Sequence, residues 1–228
     1  MTRFLVLSTD EQAPIALDIM DRESEVVFKS CSGMPKHLSN AQDWALADLA
    51  VLSAGQYAQE EGFDALCLSS FGDYGFGALQ SVLDIPVVSA GRSALLYALT
   101  LGTHFSILAE DDVYHRAKKL VWDYGLDKQC VSVRRAMASN FEAMLALAMQ
   151  SVEEDGAEIL CLATGSSAFT GALAARLPVP VIEPVTLTLK LAESLLALRL
   201  TQSRHAYPEP LIRKSALIAS LAQVKACP

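Results

Sequence analysis

The stretch that decides the fold is EEGFDALCLSS at residues 60–70, because a relative of it returns as EDGAEILCLAT at residues 154–164. Each copy holds an acidic pair, a glycine, an apolar run with one cysteine, and a hydroxyl residue at its end. Five pairs of similar residues share one offset of 94 positions, namely Gly62 and Gly156, Asp64 and Glu158, Cys67 and Cys161, Ser70 and Thr164, and Pro86 and Pro180. Five matches at one offset indicate an internal duplication, although α/β units also resemble one another by composition.

Eight short runs rich in Val, Leu and Ile surround this repeat, and such runs are typical of strands buried on both faces. They are residues 4–8, 25–30, 64–70 and 85–90, followed in the same order by 104–109, 129–135, 157–163 and 179–184. Between them, segments such as 43–62 and 140–156 carry apolar residues at helical spacing and end at a glycine. The alternation of strands and helices predicts an α/β fold with parallel sheets covered on both faces.

The duplication predicts two pseudo-symmetric α/β halves, residues 1–98 and 99–199, with a ligand cleft between them. We expect residues 200–228 to pack back onto the first half. In open parallel sheets, ligands bind beyond the carboxyl ends of the strands. The residues that follow the repeated strands are therefore the first candidates for a site.

Composition narrows the class of protein. The chain has 228 residues, 52% of them apolar, and a net charge of −8, and its basic residues are scattered. Nucleic acid is therefore not an expected partner. No apolar run reaches the roughly 18 residues of a membrane span, and the N-terminal run is too short for a signal peptide, so we expect a cytoplasmic protein without a membrane partner. The five cysteines show no metal-binding spacing and are expected to be reduced and mostly buried.

Two loops follow the repeated strands. The first is FGDYGFG at residues 71–77, and the second is GSSAFTG at residues 165–171. Glycine-rich backbone at the start of a helix favours an anionic group such as a carboxylate, which predicts two facing anion-binding loops. Strand-to-helix turns also require glycine and serine for tight turns and N-caps, so that structural alternative stays open for each loop.

The order of these elements resembles the aspartate/glutamate/hydantoin racemase superfamily, and it is most similar to the hydantoin and allantoin racemase branch. The resemblance covers nearly the whole chain and is most specific at the FGD loop at 71–73, at LGTHFSIL at 101–108, and from PVIEPV to KLAE at 180–193. It implies a two-domain α/β enzyme that interconverts stereoisomers at an acidic carbon without pyridoxal phosphate or a metal. It also implies proton transfer by two cysteines, one from each half.

This chain departs from that pattern at both cysteine positions, which are Ser70 and Thr164 here. A thiol with a pKa near 8.5 can be brought to a thiolate, whereas an aliphatic hydroxyl ionises many pH units higher. Cys67 and Cys161 lie three residues earlier, inside apolar strands, and are interpreted as core residues. We therefore expect Ser70 and Thr164 to act in catalysis by donating hydrogen bonds, while a carboxylate or histidine serves as the base.

The sequence names candidates for that base and for substrate contacts. Asp10 ends the first strand and is the third residue predicted to be catalytic. The predicted substrate-binding residues lie in the two loops, before the first long helix and at the last strand end, and are Phe71, Gly72, Asp73, Gly165, Ser166, Lys36 and Glu183. Each of these charged residues also has a structural interpretation. Asp10 and Asp73 are equally suited to capping a turn, and Glu183 is suited to starting a helix. Lys36 is suited to a solvated position on the surface.

Three functions remain open. The first is a racemase-like isomerase acting on a small amino acid, a hydantoin or a related carboxylate or cyclic amide. The second is a decarboxylase or lyase, which needs proton delivery from one face only. The third is a small-molecule-binding homologue without catalysis. We expect no cofactor, no metal, a small-molecule substrate and a homo-oligomer.

Overall fold

The computed structural model of the protein describes residues 1–8, 19–137, 139–164 and 168–222. It contains two four-stranded sheets in which every pair of neighbouring strands is parallel. The first sheet has the order β2-β1-β3-β4 and consists of β1 (Thr2–Ser8), β2 (Ser24–Ser30), β3 (Ala65–Leu68) and β4 (Val87–Ser89). The second has the order β6-β5-β7-β8 and consists of β5 (Phe105–Ala109), β6 (Cys130–Arg135), β7 (Ile159–Ala163) and β8 (Val181–Ile182). The prediction of two parallel-sheet α/β halves is confirmed.

The described helices connect and cover these strands. They are α1 (Ala41–Gly55), α2 (Phe76–Val82), α3 (Ala90–Ala98), α4 (Asp111–Asp123), α5 (Phe141–Glu153), α6 (Thr170–Arg176), α7 (Pro184–Ala197) and α8 (Ser215–Ala222). Helix α1 ends earlier than the pattern predicts, and the chain continues from Gln56 in turns to Gly62. Among the described residues, no helix is both long enough and apolar enough to cross a membrane.

The repeat is visible in the hydrogen bonds that start each sheet. The Asp64 carboxylate accepts a bond of 2.8 Å from the backbone N–H of Arg3, and the backbone N–H of Asp64 donates to the Arg3 carbonyl. Glu158 makes the same two bonds with His104, its carboxylate accepting at 3.1 Å. The acidic residue of the repeat therefore has the same task in both halves, which is to join the start of the central strand to its neighbour.

Each sheet is covered on one face by a helix that belongs to the other half of the sequence. Helix α3 follows β4 but packs on the second sheet, where the fully buried Leu95 shares a core with Cys161. Helix α7 follows β8 but packs on the first sheet, where the fully buried Leu189 shares a core with Cys67. Burying one leucine side chain contributes about 1.5–3 kcal/mol, so this exchange ties the halves together. The boundaries at 98 and 199 describe the repeat along the chain, and as domain limits they stay a prediction.

The segment after α7 lies against the first half. The Gln202 side-chain amide donates to the Ile85 carbonyl at 3.0 Å and accepts from the backbone N–H of Val87 at 3.2 Å. Arg204 donates to the Gln80 carbonyl at 3.0 Å. The Gln202 bonds satisfy backbone groups around β4, which is an edge strand of its sheet, and the Arg204 bond holds the same segment to α2.

Candidate active site

Ser70 and Thr164 lie at equivalent edges of the two sheets. Ser70 follows β3 by two residues, and Thr164 follows β7 directly. Both strands are flanked by a strand on each side, so their carboxyl ends open at the middle of a sheet edge. Ligands of parallel α/β proteins bind at such edges. Both residues are partly buried, and their catalytic role stays a prediction.

The loop after Ser70 is folded onto itself. The Ser70 hydroxyl accepts a hydrogen bond of 3.3 Å from the backbone N–H of Gly72, and its carbonyl accepts one of 3.2 Å from the N–H of Asp73. Gly75 donates its backbone N–H to the Asp48 carboxylate at 2.8 Å. Several N–H groups of this loop thus already have acceptors in the protein, which differs from the expected anion-binding loop.

Asp73 is the centre of that loop and is almost fully buried, with 4% of its surface exposed. It adopts a left-handed backbone conformation with φ of 52°, which aspartate tolerates better than most residues. Its carboxylate accepts hydrogen bonds from the backbone N–H groups of Gly91 at 2.8 Å and Arg92 at 2.7 Å. The Tyr124 hydroxyl donates a third bond at 2.8 Å. The carboxylate therefore anchors the loop to the start of α3 and the end of α4.

The environment of Asp73 changes its titration. Burial raises the pKa of its carboxyl to about 6, because the charged form is removed from water. The hydrogen bonds from Tyr124, Gly91 and Arg92 stabilise the charged form and act in the opposite direction on that pKa. Burial is the larger effect.

Further contacts fix the same loop to the second half. The Arg116 guanidinium donates to the Gly72 carbonyl at 2.8 Å and lies over the rings of Trp44 and Tyr74. The Phe71 side chain is buried in the core of the second sheet. Phe71, Gly72 and Asp73 thus connect the two halves, and their predicted contact with substrate stays a prediction.

The sequence did not single out Glu110, which the structure places beside Thr164. Glu110 follows β5, and its backbone N–H donates to the Ala163 carbonyl at 3.2 Å. In the sequence, Glu110 is recognisable only as the acidic residue that ends the apolar run HFSILAE at 104–110. Two other residues predicted for the second loop, Gly165 and Ser166, lie outside the described residues, as does Asp10.

The remaining predicted residues have other surroundings. Glu183 is the N-cap of α7, and its carboxylate accepts from the backbone N–H groups of Val185 at 3.0 Å and Thr186 at 2.7 Å. This is the helix-start role that the sequence left open. Lys36 is exposed on the segment before α1. Within the described part of the chain, no three His, Cys, Asp or Glu side chains are grouped to hold a metal ion.

Cys67 and Cys161 are fully buried within β3 and β7. Burial raises the pKa of the Cys67 thiol to about 12 and raises the pKa of the Cys161 thiol as well. Thiolates are the reactive form of cysteine, so neither thiol is suited to proton transfer at neutral pH.

We expect Cys67 and Cys161 to resist alkylation in the folded protein. Iodoacetamide at pH 7.5 should leave both unmodified for hours, and in denaturant both should react within minutes, since unfolding restores a pKa near 8.5. Peptide mass spectrometry measures the extent at each cysteine. Rapid native labelling of either one would contradict its burial and reopen it as a catalytic candidate.

A cavity of about 510 Å³ lies at the other end of the first sheet. Its walls include Thr2 and Ser24 at the starts of β1 and β2, and Glu193 of α7. The Glu193 carboxylate accepts from the backbone N–H of Asp21 at 2.9 Å. The cavity opens at the amino ends of the strands, away from Ser70.

Comparison with known proteins agrees with this architecture. The family model described as Asp/Glu/Hydantoin racemase matches residues 9–192. A hydantoin racemase of Pseudomonas sp. (strain NS671) is 29% identical over 205 residues, which are 82% of this chain and 81% of the relative. The crystal structure of an allantoin racemase from Pseudomonas fluorescens superimposes with a TM-score of 0.85 at 27% identity, covering 93% of this chain and 99% of the other.

An allantoin racemase from Klebsiella pneumoniae has the same fold, with a TM-score of 0.84 at 23% identity, and the match covers 93% of this chain and 95% of that one. The matched family region includes both repeated strands and the loops that follow them. This chain belongs to the Asp/Glu/hydantoin racemase family.

Proposed function

We propose that this protein is a racemase-like isomerase that works without a cofactor or a metal. Its substrate is a small molecule with an acidic carbon next to a carbonyl group, such as a hydantoin, a related cyclic amide or an amino acid. The observation that carries this proposal is the placement of Ser70 and Thr164 at equivalent sheet edges in a family of racemases. The similarity to hydantoin and allantoin racemases along most of the chain supports the substrate class.

The chemistry requires a base and a group that stabilises the enolate. Removal of the proton from the acidic carbon leaves negative charge on the neighbouring carbonyl oxygen. The hydroxyls of Ser70 and Thr164 donate hydrogen bonds to that charge, an effect that oxyanion-hole donors provide in other enzymes. Delivery of a proton to the opposite face then inverts the carbon.

One observation favours a second candidate, which is a decarboxylase or lyase that moves a proton at one face only. The surroundings of the two hydroxyls differ, because Glu110 follows the strand beside Thr164, whereas Thr9 has the corresponding place in the sequence of the first half. Two edges that differ in this way suit proton transfer at one face of the substrate. The experiment below separates the two candidates.

The test uses optically pure 5-benzylhydantoin, allantoin, aspartate and glutamate in heavy water, each with an enzyme-free control. We expect deuterium uptake at the acidic carbon of at least one compound, followed by NMR, together with loss of optical rotation and full retention of the compound. Loss of the carboxylate or amine supports the second candidate instead. Absence of both changes for every compound contradicts the isomerase proposal and favours a binding protein.

A gain-of-function variant provides a further prediction. Changing Ser70 and Thr164 together to cysteine is expected to raise racemisation of the responsive compound at least about tenfold, because a thiol ionises far more readily than a hydroxyl. Polarimetry measures the rate. The control is Ser69→Cys, which adds a partly buried thiol one residue earlier, where the native hydroxyl donates to the Leu7 carbonyl at 3.1 Å. An equal gain in the control, or no gain in the double variant, would show that these two positions do not face the substrate.

A further inference from the structure

The direction of the Ser70 hydroxyl is tied to the loop that follows it. The hydroxyl oxygen accepts a hydrogen bond of 3.3 Å from the backbone N–H of Gly72, a side-chain turn that serine makes with a residue two positions later. A serine hydroxyl has one hydrogen to donate and accepts through its oxygen. Because the Gly72 N–H faces the oxygen, the hydroxyl hydrogen is turned away from Gly72.

This bond is sensitive to the position of Gly72. Its length of 3.3 Å exceeds the separation of about 2.9–3.0 Å that is usual between a nitrogen donor and an oxygen acceptor. A small movement of Gly72 away from Ser70 lengthens it beyond hydrogen-bonding range and leaves the hydroxyl free to rotate. The contacts that fix Gly72 therefore also fix the direction in which Ser70 donates.

Two side chains fix Gly72 through different atoms. The Tyr74 ring lies against Gly72, since a Cβ atom at Gly72 would come within 2.3 Å of that ring. The Arg116 guanidinium donates through Nε to the Gly72 carbonyl at 2.8 Å. Arg116 belongs to α4, so this bond joins the second half of the protein to the loop that follows Ser70.

Arg116 is itself held in place by two aromatic rings. Its guanidinium carbon lies 5.3 Å from the centre of the Trp44 ring and 5.5 Å from the centre of the Tyr74 ring, which are distances of cation–π contacts. Tyr74 is buried, and the Trp44 indole N–H donates to the Leu38 carbonyl at 2.6 Å. A planar guanidinium that is held in this way loses little freedom when it donates a hydrogen bond. Arg116 is therefore a fixed donor for the Gly72 carbonyl.

We propose that Arg116 is a positioning residue for Ser70. The inference rests on the isomerase function proposed above, in which the Ser70 hydroxyl donates a hydrogen bond to the enolate oxygen of the substrate. Arg116 holds Gly72 in place, the Gly72 N–H holds the Ser70 oxygen, and the hydroxyl hydrogen is thereby directed to the enolate. Arg116 touches neither the substrate nor the proton that moves, and it stays charged throughout, because a guanidinium does not ionise in proteins.

The test is deuterium uptake at the acidic carbon of 5-benzylhydantoin and allantoin, followed by NMR over a range of concentrations for the whole protein and its variants. Arg116→Met keeps a long side chain between the two rings and removes the donor. We expect kcat to fall at least about tenfold while KM stays within about threefold, since the enolate charge exists only after the ground state. Arg116→Lys keeps a cationic donor and is expected to retain more of kcat than Arg116→Met.

Arg92→Met is the matched control. The Arg92 guanidinium also lies over two rings, 5.7 Å from the centre of Phe76 and 5.3 Å from the centre of Tyr124. The variant keeps the backbone N–H that donates to Asp73, and the Gly72 carbonyl keeps its bond from Arg116. Both kcat and KM of the control should stay within about twofold of the wild type.

A cycle of variants with Ser70→Ala provides a readout that a purely structural role of Arg116 would not move. Once Ser70 is alanine, Arg116→Met should change kcat by no more than about twofold, because the hydroxyl that Arg116 positions is absent. A loss of the same size with serine and with alanine at position 70 overturns the inference and leaves the isomerase proposal standing. If Arg116→Met does not fold, as judged by circular dichroism, Arg116→Lys takes its place in the cycle.

The remaining outcomes separate the inference from the function on which it rests. A rise in KM with unchanged kcat in Arg116→Met indicates direct binding of the substrate and overturns the positioning role. If exchange by Ser70→Ala is too slow to follow, the comparison with Arg92→Met decides, and equal kcat values in the two methionine variants overturn that role. Absence of exchange in the wild type with both compounds overturns the role of Arg116 and the isomerase proposal together.

Discussion

Replacing Gly91 with alanine is expected to destabilise the protein by about 3 kcal/mol and to displace the loop that follows Ser70. A Cβ atom at Gly91 would lie 2.1 Å from the Phe71 carbonyl oxygen and 2.9 Å from a carboxylate oxygen of Asp73. A backbone oxygen at that distance cannot give way unless the whole loop moves. Such a movement also breaks the bond from the Gly91 N–H to Asp73.

Urea unfolding followed by circular dichroism measures this loss, and hydrogen exchange of residues 70–76 reports the loop directly. The matched control is Gly171→Ala, because Gly171 is the second residue of α6 as Gly91 is of α3. A Cβ atom at Gly171 meets nothing within 4 Å, and alanine favours a helix over glycine by up to about 1 kcal/mol. The control should therefore keep or raise the stability, and equal stability of the two variants would mean that the loop does not contact α3 as described.

Asp73 is expected to give the protein a pH-dependent stability that Asp73→Asn removes. Burial raises the folded-state pKa of this carboxyl from an ordinary 3.8 to about 6. A carboxyl with a raised pKa binds its proton more tightly in the folded state. Its contribution to stability is therefore complete below pH 3.8 and is lost as the pH rises through 6. The free energy of unfolding of the wild type, minus that of Asp73→Asn, should fall by about 3 kcal/mol from pH 3.5 to pH 7.

Urea unfolding at intervals across that pH range measures the difference. Tyr124→Phe serves as a directional control, since it keeps the carboxyl and removes the hydroxyl that donates to it at 2.8 Å. Without that bond the charged form is less stable, so the pKa of Asp73 rises further and the fall in stability moves to higher pH. A flat difference between wild type and Asp73→Asn would show that the carboxyl is not titrating in this buried setting.

Much of the architecture was predictable because its signals are local. Each strand is a short apolar run, and the offset of 94 residues shows along the sequence which positions of the two halves are equivalent. The glycines of the repeat adopt positive φ, with 81° at Gly62 and 76° at Gly156, a conformation that glycine permits at no steric cost. The acidic partners Asp64 and Glu158 then make equivalent bonds, which is what a true duplication requires.

The site was only partly predictable. Ser70 and Thr164 follow from the repeat and from the racemase pattern, because their positions are set along the chain. Asp73 was predicted to contact substrate, with a turn-capping role as the alternative, and the structure shows its carboxylate bound by donors from two helices. No motif marks Glu110, since its position next to Thr164 depends on which strand lies beside β5.

The sequence by itself determined the class of fold, the duplication and the pair of hydroxyls at the ends of the repeated strands. Only the tertiary structure decided that α3 and α7 cover each other's sheets, that the loop after Ser70 is held by Asp73, and that a carboxylate follows the strand beside Thr164. The physical reason is the range of the interactions. Periodicity and backbone conformation act between residues close in the chain, whereas burial, strand register and hydrogen bonds between distant segments exist only after the chain has folded.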